Sequence, residues 1–155
     1  DKVCVNTAAI ETPSLINEAA HRFGAQCVVL SIDYRLEADG RYRVYGQGGT
    51  QKTAWDPVTW AMEAVRRGAG EILLCSIDQD GRGLGLDNHL CHQVTSKVSV
   101  PVIQSGGCGL ASHFVDGFLQ GGADAVAAGT FFCFKDQNQH QTRSQIKNAN
   151  IPVRL

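Results

Sequence analysis

Short apolar, β-branched runs alternate with amphipathic stretches along nearly the whole chain. Val3-Cys4-Val5, Cys27 to Ile32, Glu71 to Cys75, Pro101 to Gln104 and Asp124 to Ala128 read as strands. The second run, CVVLSI, is apolar almost throughout, as strands covered on both faces are, and it stops at Asp33. Between the runs lie helices with recognisable starts. Thr12-Pro13 supplies a cap and a first-turn proline for a helix to about Phe23. Asp56-Pro57 does the same for a helix through Trp60 and Val65 that stops at Gly68-Ala69-Gly70. Further helices are predicted from about Asp87, over Ala111 to Leu119 and near Gln139 to Ala149, with a short apolar segment at Phe131 to Phe134. Tyr42 to Tyr45 alternates after Asp39-Gly40 and reads as an excursion beyond the sheet, followed by a mobile Gly46-Gln47-Gly48-Gly49-Thr50 segment. The outcome is five strand–helix units in one domain over residues 1–155, an α/β chain with parallel strands.

An internal repeat supports this. Arg22 to Asp33 (RFGAQCVVLSID) aligns without gaps on Arg67 to Asp78 (RGAGEILLCSID), 45 residues later. Repeated β/α units with a polar residue at each strand's carboxyl end are what part of a TIM barrel shows. A closed barrel of eight units takes roughly 200 residues or more. The 155 residues therefore predict a partial barrel with an open, half-barrel-like sheet, a paired copy, or a flavodoxin-like arrangement instead.

Composition narrows the function. With 14 Lys+Arg against 15 Asp+Glu and no long charge run, the chain has no electrostatic footprint for nucleic acid. Its apolar runs are far shorter than the ~20 residues of a membrane helix. No membrane role and a cytoplasmic location are the expectation. The six cysteines are widely spaced and form no Cys-x-x-Cys pair, so they read as buried thiols, with no metal site and no cofactor expected. The five histidines fall on predicted helices away from strand tips, and Trp55 and Trp60 read as packing residues.

Ligands of such sheets bind at strand carboxyl ends. That rule singles out Asn6, Asp33, Asp78, Asp80, Gly81, Gly106, Gly107, Ala128 and Gly129. A carboxylate directly after an apolar strand, as at Asp33, is placed to exchange a proton with a ligand; loop capping is its structural alternative, and the stronger one for Asp78. Ser105-Gly106-Gly107 and Ala128-Gly129-Thr130 follow adjacent strands and would let backbone N–H groups approach phosphate oxygens, with Asp80-Gly81 adding another loop amide. Lys2 and Glu71 stand at strand amino ends, on the opposite rim.

The segments DKVCVNTAAIETPSLI, FGAQCVVLSID, RGAGEILLCSIDQDG, PVIQSGGCG and GADAVAAGTFF resemble consecutive motifs of the cyclase subunit of imidazole glycerol phosphate synthase. The resemblance runs in register from Asp1 to Leu155 and covers the last five of that family's eight units. It implies ammonia, delivered by a glutaminase partner, cleaving and cyclising a phosphorylated ribonucleotide-type substrate to imidazole glycerol phosphate and an aminoimidazole carboxamide ribonucleotide in histidine biosynthesis. Asp33 matches the second of two acid–base aspartates; the first belongs to the family's opening strand. Asn6 and Thr7 match part of one phosphate site, and Asp80, Gly81, Gly107, Ala128 and Gly129 match the other, with Gly129 where a serine is frequent and Cys75 where a hydroxyl residue is found. Lys2 and Glu71 match members of a charged ammonia gate. The tail KDQNQHQTRSQIKNANIPVRL with AAGTFF resembles paralogues found with surface-polysaccharide genes and linked to sugar amidation.

The expectation is thus a truncated lyase-type cyclase, weak or inactive alone, that self-associates as a homodimer or larger oligomer. A non-enzymatic phosphate-binding module and the coding remainder of a longer cyclase are the alternatives.

Overall fold

The computed structural model describes residues 1–134 and 138–153. Five strands run parallel in chain order: β1 (Val3–Val5), β2 (Val28–Leu36), β5 (Glu71–Ser76), β6 (Val102–Ser105) and β7 (Ala125–Val126). Two more follow antiparallel, β3 (Tyr42–Gly46) on the outer half of β2 and β4 (Gln51–Lys52) on β3. The helices are α1 (Thr7–Glu11), α2 (Ser14–Phe23), α3 (Pro57–Arg67), α4 (Asn88–Thr95), α5 (Ala111–Leu119), α6 (Thr130–Phe134) and α7 (Gln139–Asn148).

Strand residues alternate between the two faces because the side-chain period is two. On β2 the set Val28, Leu30, Ile32 and Tyr34 is buried, joined by Ile72 and Leu74 of β5 and Val102 of β6. This face packs on Ile16 of α2, Trp60 and Ala64 of α3, and Leu90 and Val94 of α4. The opposite face carries exposed Cys4 and half-buried Ser31, Asp33, Leu73, Cys75, Ile103 and Ser105. Helices on one face and strands in unbroken chain order make this an open section of a β/α barrel. The flavodoxin-like alternative is not found, because such a sheet reverses its strand order and covers both faces.

Local signals explain most elements. Asp56 caps α3 by accepting from the Val58 and Thr59 amides at 2.9 and 3.1 Å, with Pro57 at the first helical position and Gly68 closing the helix at φ 110°. Asp87 caps α4 through the Leu90 amide at 3.1 Å. Thr12 does not cap α2: it ends the short helix α1, its carbonyl takes the Leu15 amide, and Pro13 is the N-cap residue. β2 continues past Asp33 to Leu36, where β3 pairs with it. The Tyr42–Tyr45 run therefore widens the sheet rather than leaving it, pairing Asp33 with Tyr45 and Arg35 with Arg43. Gln47–Gly49 folds as a 3-10 turn. The fifth strand is shorter than the apolar run: β7 is confined to Ala125–Val126, flanked by the Asp124 amide on the Val102 carbonyl and the Ala127 amide on the Gln104 carbonyl, both at 2.9 Å, while the Asp124 carboxylate accepts the Val102 amide at 2.9 Å.

Trp55 and Trp60 stack with ring centroids 4.8 Å apart, and Trp60 is fully buried, so both pack as expected. A second cluster joins Phe114, Phe131 and Ile146 under α7. All six cysteines are free, but only Cys91 and Cys108 are buried; Cys27 and Cys75 are half-buried, and Cys4 and Cys133 are exposed. The reading as buried thiols holds for two of them, because Cys4 lies on the uncovered face and Cys133 on the outer side of a one-turn helix. Among the described residues no cluster suits a metal ion, and no helix is long and apolar enough to cross a membrane.

Candidate active site

One level of the sheet aligns a row of polar side chains on the uncovered face. The strand register aligns Lys52, Tyr45, Asp33, Cys75 and Ser105 across β4, β3, β2, β5 and β6. Asp33 sits at the centre of this row. It is half-buried, and Ser31, two residues earlier on the same face, donates its hydroxyl to Oδ1 at 3.3 Å. Burial pushes the Asp33 carboxyl above the ordinary range, the Ser31 hydrogen bond opposes this, and the nearby Asp80 charge adds to it. A carboxyl that holds its proton more tightly than usual suits donation to a ligand as well as acceptance from it. The neighbouring Cys75 thiol is pushed up to about 11, first by burial and then by the Asp33 and Asp80 charges, and so stays a neutral thiol.

Beside this row lies the glycine crevice. Asp80, Gly81, Ser105, Gly106, Gly107, Cys108, Ala127, Ala128, Gly129 and Thr130 line one small hollow. All six predicted residues of that side therefore meet. Gly107 is the tightest point: its φ is +105°, and a Cβ there would lie 2.1 Å from the Gly85 carbonyl oxygen. Its own carbonyl accepts the Gly85 amide at 2.9 Å, which locks the two loops together. The Gly109 amide donates to His113 Nδ1 at 3.1 Å, so this histidine braces the loop from α5.

Asn6 and Thr7 lie across the sheet from the crevice, against the β3 hairpin. The Asn6 amide donates to the Ser31 and Tyr45 carbonyls at 3.2 and 3.5 Å. Thr7 Oγ1 donates to Asn6 Oδ1 and accepts the Gln47 amide at 2.9 Å. Asp78 is a tether: Oδ2 takes the Leu36 amide at 3.0 Å and Oδ1 lies 3.9 Å from Arg35 Nε. On the opposite rim Lys2 Nζ meets Glu71 Oε2 at 2.7 Å. Sequence reasoning missed Ser31 and Tyr45. Both have a legible signal, being polar or aromatic residues at even spacing from Asp33 along or across the ladder.

The family profile described as "Histidine biosynthesis protein" matches residues 1–138. The chain belongs to that family. It is 52% identical over its whole length to a protein of Prochlorococcus marinus provisionally named imidazole glycerol phosphate synthase subunit hisF2, covering 59% of it. It is 48% identical over 99% of its length to imidazole glycerol phosphate synthase subunit HisF of Bacillus subtilis, and 50% identical to HisF of Bacillus licheniformis, covering 62% of each. The chain thus spans about three fifths of the length of the curated relatives it matches. The resemblance to the cyclase subunit and the barrel-type fold both stand on these matches.

Proposed function

We propose that this chain binds a phosphorylated, ribonucleotide-type substrate across the uncovered face and contributes Asp33 to ammonia-dependent lyase and cyclase chemistry of histidine biosynthesis. The observation that carries the reading is the placement of a proton-retaining carboxyl one strand from β5 and two from the glycine crevice. In this reading the crevice residues Asp80, Gly81, Gly106, Gly107, Ala128 and Gly129 hold one phosphate through loop amides, and Asn6 and Thr7 touch the other. Asp33 moves the proton at the reacting centre, while Ser31 orients it. The Lys2–Glu71 pair marks the rim where ammonia from a glutaminase subunit would enter, a setting that belongs to the cytoplasm. The first acid–base aspartate of the family, the one on its opening strand, has no counterpart among these residues. A missing proton donor or acceptor costs about 10²–10⁴ in rate, so the chain alone is expected to be slow or inactive.

Self-association of the chain, most simply as a twofold dimer, is part of the same proposal, since among the described residues no strand pairs with the outer edges of β1 and β7. A binding module without turnover is the second reading, favoured by the six glycine-crevice residues lining one hollow. Ammonia-dependent turnover of the cyclase substrate, with Asp33→Asn as control, decides between them. Turnover lost in the control supports the enzyme. No turnover, with phosphate-ligand binding that Gly107→Val abolishes, supports the module.

A further inference from the structure

Two arginines face each other on the ligand side of the hairpin. Arg35 and Arg43 are direct partners in the antiparallel β2–β3 ladder, two residues outward from Asp33 and Tyr45, and so share the face of Asp33. Like charges directly opposite in such a pair are destabilising. Nothing among the described residues around them fully compensates the two charges. Glu37, the nearest carboxylate on the hairpin, is committed to Tyr45 Oη at 2.6 Å and to Lys52 at 2.8 Å. Asp78 approaches Arg35 Nε only to 3.9 Å and spends its other oxygen on the Leu36 amide. The Arg35 Nε is buried without a hydrogen-bond partner among the described residues. Arg43 makes a single bond there, to the adjacent Tyr42 carbonyl at 2.8 Å.

Arg35 is also held in place. Its guanidinium carbon lies 5.2 Å from the centroid of the Tyr45 ring, and that ring is fixed at its hydroxyl by Glu37 and through its backbone carbonyl by Asn6. The cation leans inward over Tyr45, toward the level of Asp33 and the Asn6–Thr7 side of the mouth. A planar, pre-positioned fork of donors next to a second guanidinium is suited to the oxygens of a phosphate.

We propose that Arg35 and Arg43 form an anion subsite that takes a phosphate monoester of the ligand whose reacting part lies over Asp33. The subsite supplies the charge that the amide and hydroxyl of Asn6 and Thr7, already engaged within the protein, do not. This inference rests on the substrate class proposed above.

The test is calorimetric titration of the 155-residue chain with imidazole glycerol phosphate and with the aminoimidazole carboxamide ribonucleotide, each beside its dephosphorylated form. Arg35→Gln and Arg43→Gln should each weaken one of the two phosphorylated ligands about tenfold, as loss of one charge-assisted contact does. The dephosphorylated form should be unaffected, Arg35→Lys should recover part of the loss, and the salt dependence of binding should flatten. The other phosphorylated ligand should respond to Gly107→Val instead. Melting of Arg35→Gln should stay within about 3 °C of the parent or rise, because cross-strand repulsion is relieved. Unchanged affinity of both ligands in both arginine variants, with Gly107→Val still effective, overturns the subsite and leaves the proposed function standing. A fall in melting with no change in affinity assigns Arg35 a packing role and also overturns it. Failure of the parent chain to bind either ligand removes the substrate class and the subsite together.

Discussion

Gly107→Ala isolates the physical demand of the crevice. At φ +105° the backbone lies outside the region open to an L-residue, a cost of about 1–3 kcal/mol. The new Cβ would also meet the Gly85 carbonyl oxygen at 2.1 Å and the Gln79 Cβ at 2.8 Å. Neither contact is the tip of a flexible side chain, so relief requires the loops to part. Parting them weakens the Gly85 amide bond to the Gly107 carbonyl, worth about 0.5–1.5 kcal/mol net. These costs overlap rather than add, and the expected loss is about 3–5 kcal/mol, or roughly 6–20 °C in melting for a chain of this size. Two other crevice glycines calibrate the result. Gly81 has φ +73° and open space around its Cβ direction, so Gly81→Ala should cost only the backbone term, about 1–2 kcal/mol. At Gly129 a Cβ meets nothing and the backbone is unconstrained, so Gly129→Ala should lie within about 0.5 kcal/mol of the parent. Urea unfolding followed by circular dichroism measures all three. The order Gly107, Gly81, Gly129 is the claim, and a Gly107→Ala protein within about 1 kcal/mol of the parent would refute the close loop approach.

Other expectations are independent of that one. Because the Asp33 pKa is raised in the folded state, folding favours its protonated form, and its charge destabilises the protein above the ordinary carboxylate range. Asp33→Asn should therefore be more stable than the parent at about pH 7.5, with the difference shrinking as pH falls and vanishing below about 3.9; an Asp33→Asn variant less stable than the parent at that neutral pH contradicts the assignment. Gly129→Ser places a hydroxyl beside the crevice without steric conflict and should tighten phosphate-ligand binding several-fold with melting unchanged, read by calorimetry and thermal scan. Asp56→Ala removes the acceptor for two α3 amides and should cost about 0.5–2 kcal/mol in urea unfolding, whereas Asp56→Asn should restore most of it.

Much of this architecture is legible because the signals are local. The Asp56-Pro57 and Asp87 starts, the Gly68 stop and the apolar runs of β2, β5 and β6 act within a few residues of themselves. The end of β2 is not legible in this way, since it is decided by a partner distant in sequence: Tyr42–Tyr45 pairs with residues past Asp33 and so extends β2. The one-rim rule reaches the crevice glycines from strand ends alone, whereas Asp33 lies inside β2, three residues before its end. Ser31 and Tyr45 escape it, because their role appears only once alternation along β2 and register across β3 place them on Asp33's face. The exposed Cys4 illustrates the same limit: its run is as apolar as a buried strand, and only the uncovered face shows otherwise.

The row Lys52, Tyr45, Asp33, Cys75 and Ser105 works as a ruler. Strands lie ~4.8 Å apart, so its five positions span about 19 Å along the sheet, in steps that no side-chain substitution can alter. Chemistry at each mark is free to change by exchange of one residue. Spacing is not, because inserting or deleting one residue within β2 or β5 would turn the marks inward and present Ile32 or Leu74 to the ligand instead. Variation at this site should therefore proceed by substitution inside the strands, with length changes confined to the loops beyond them.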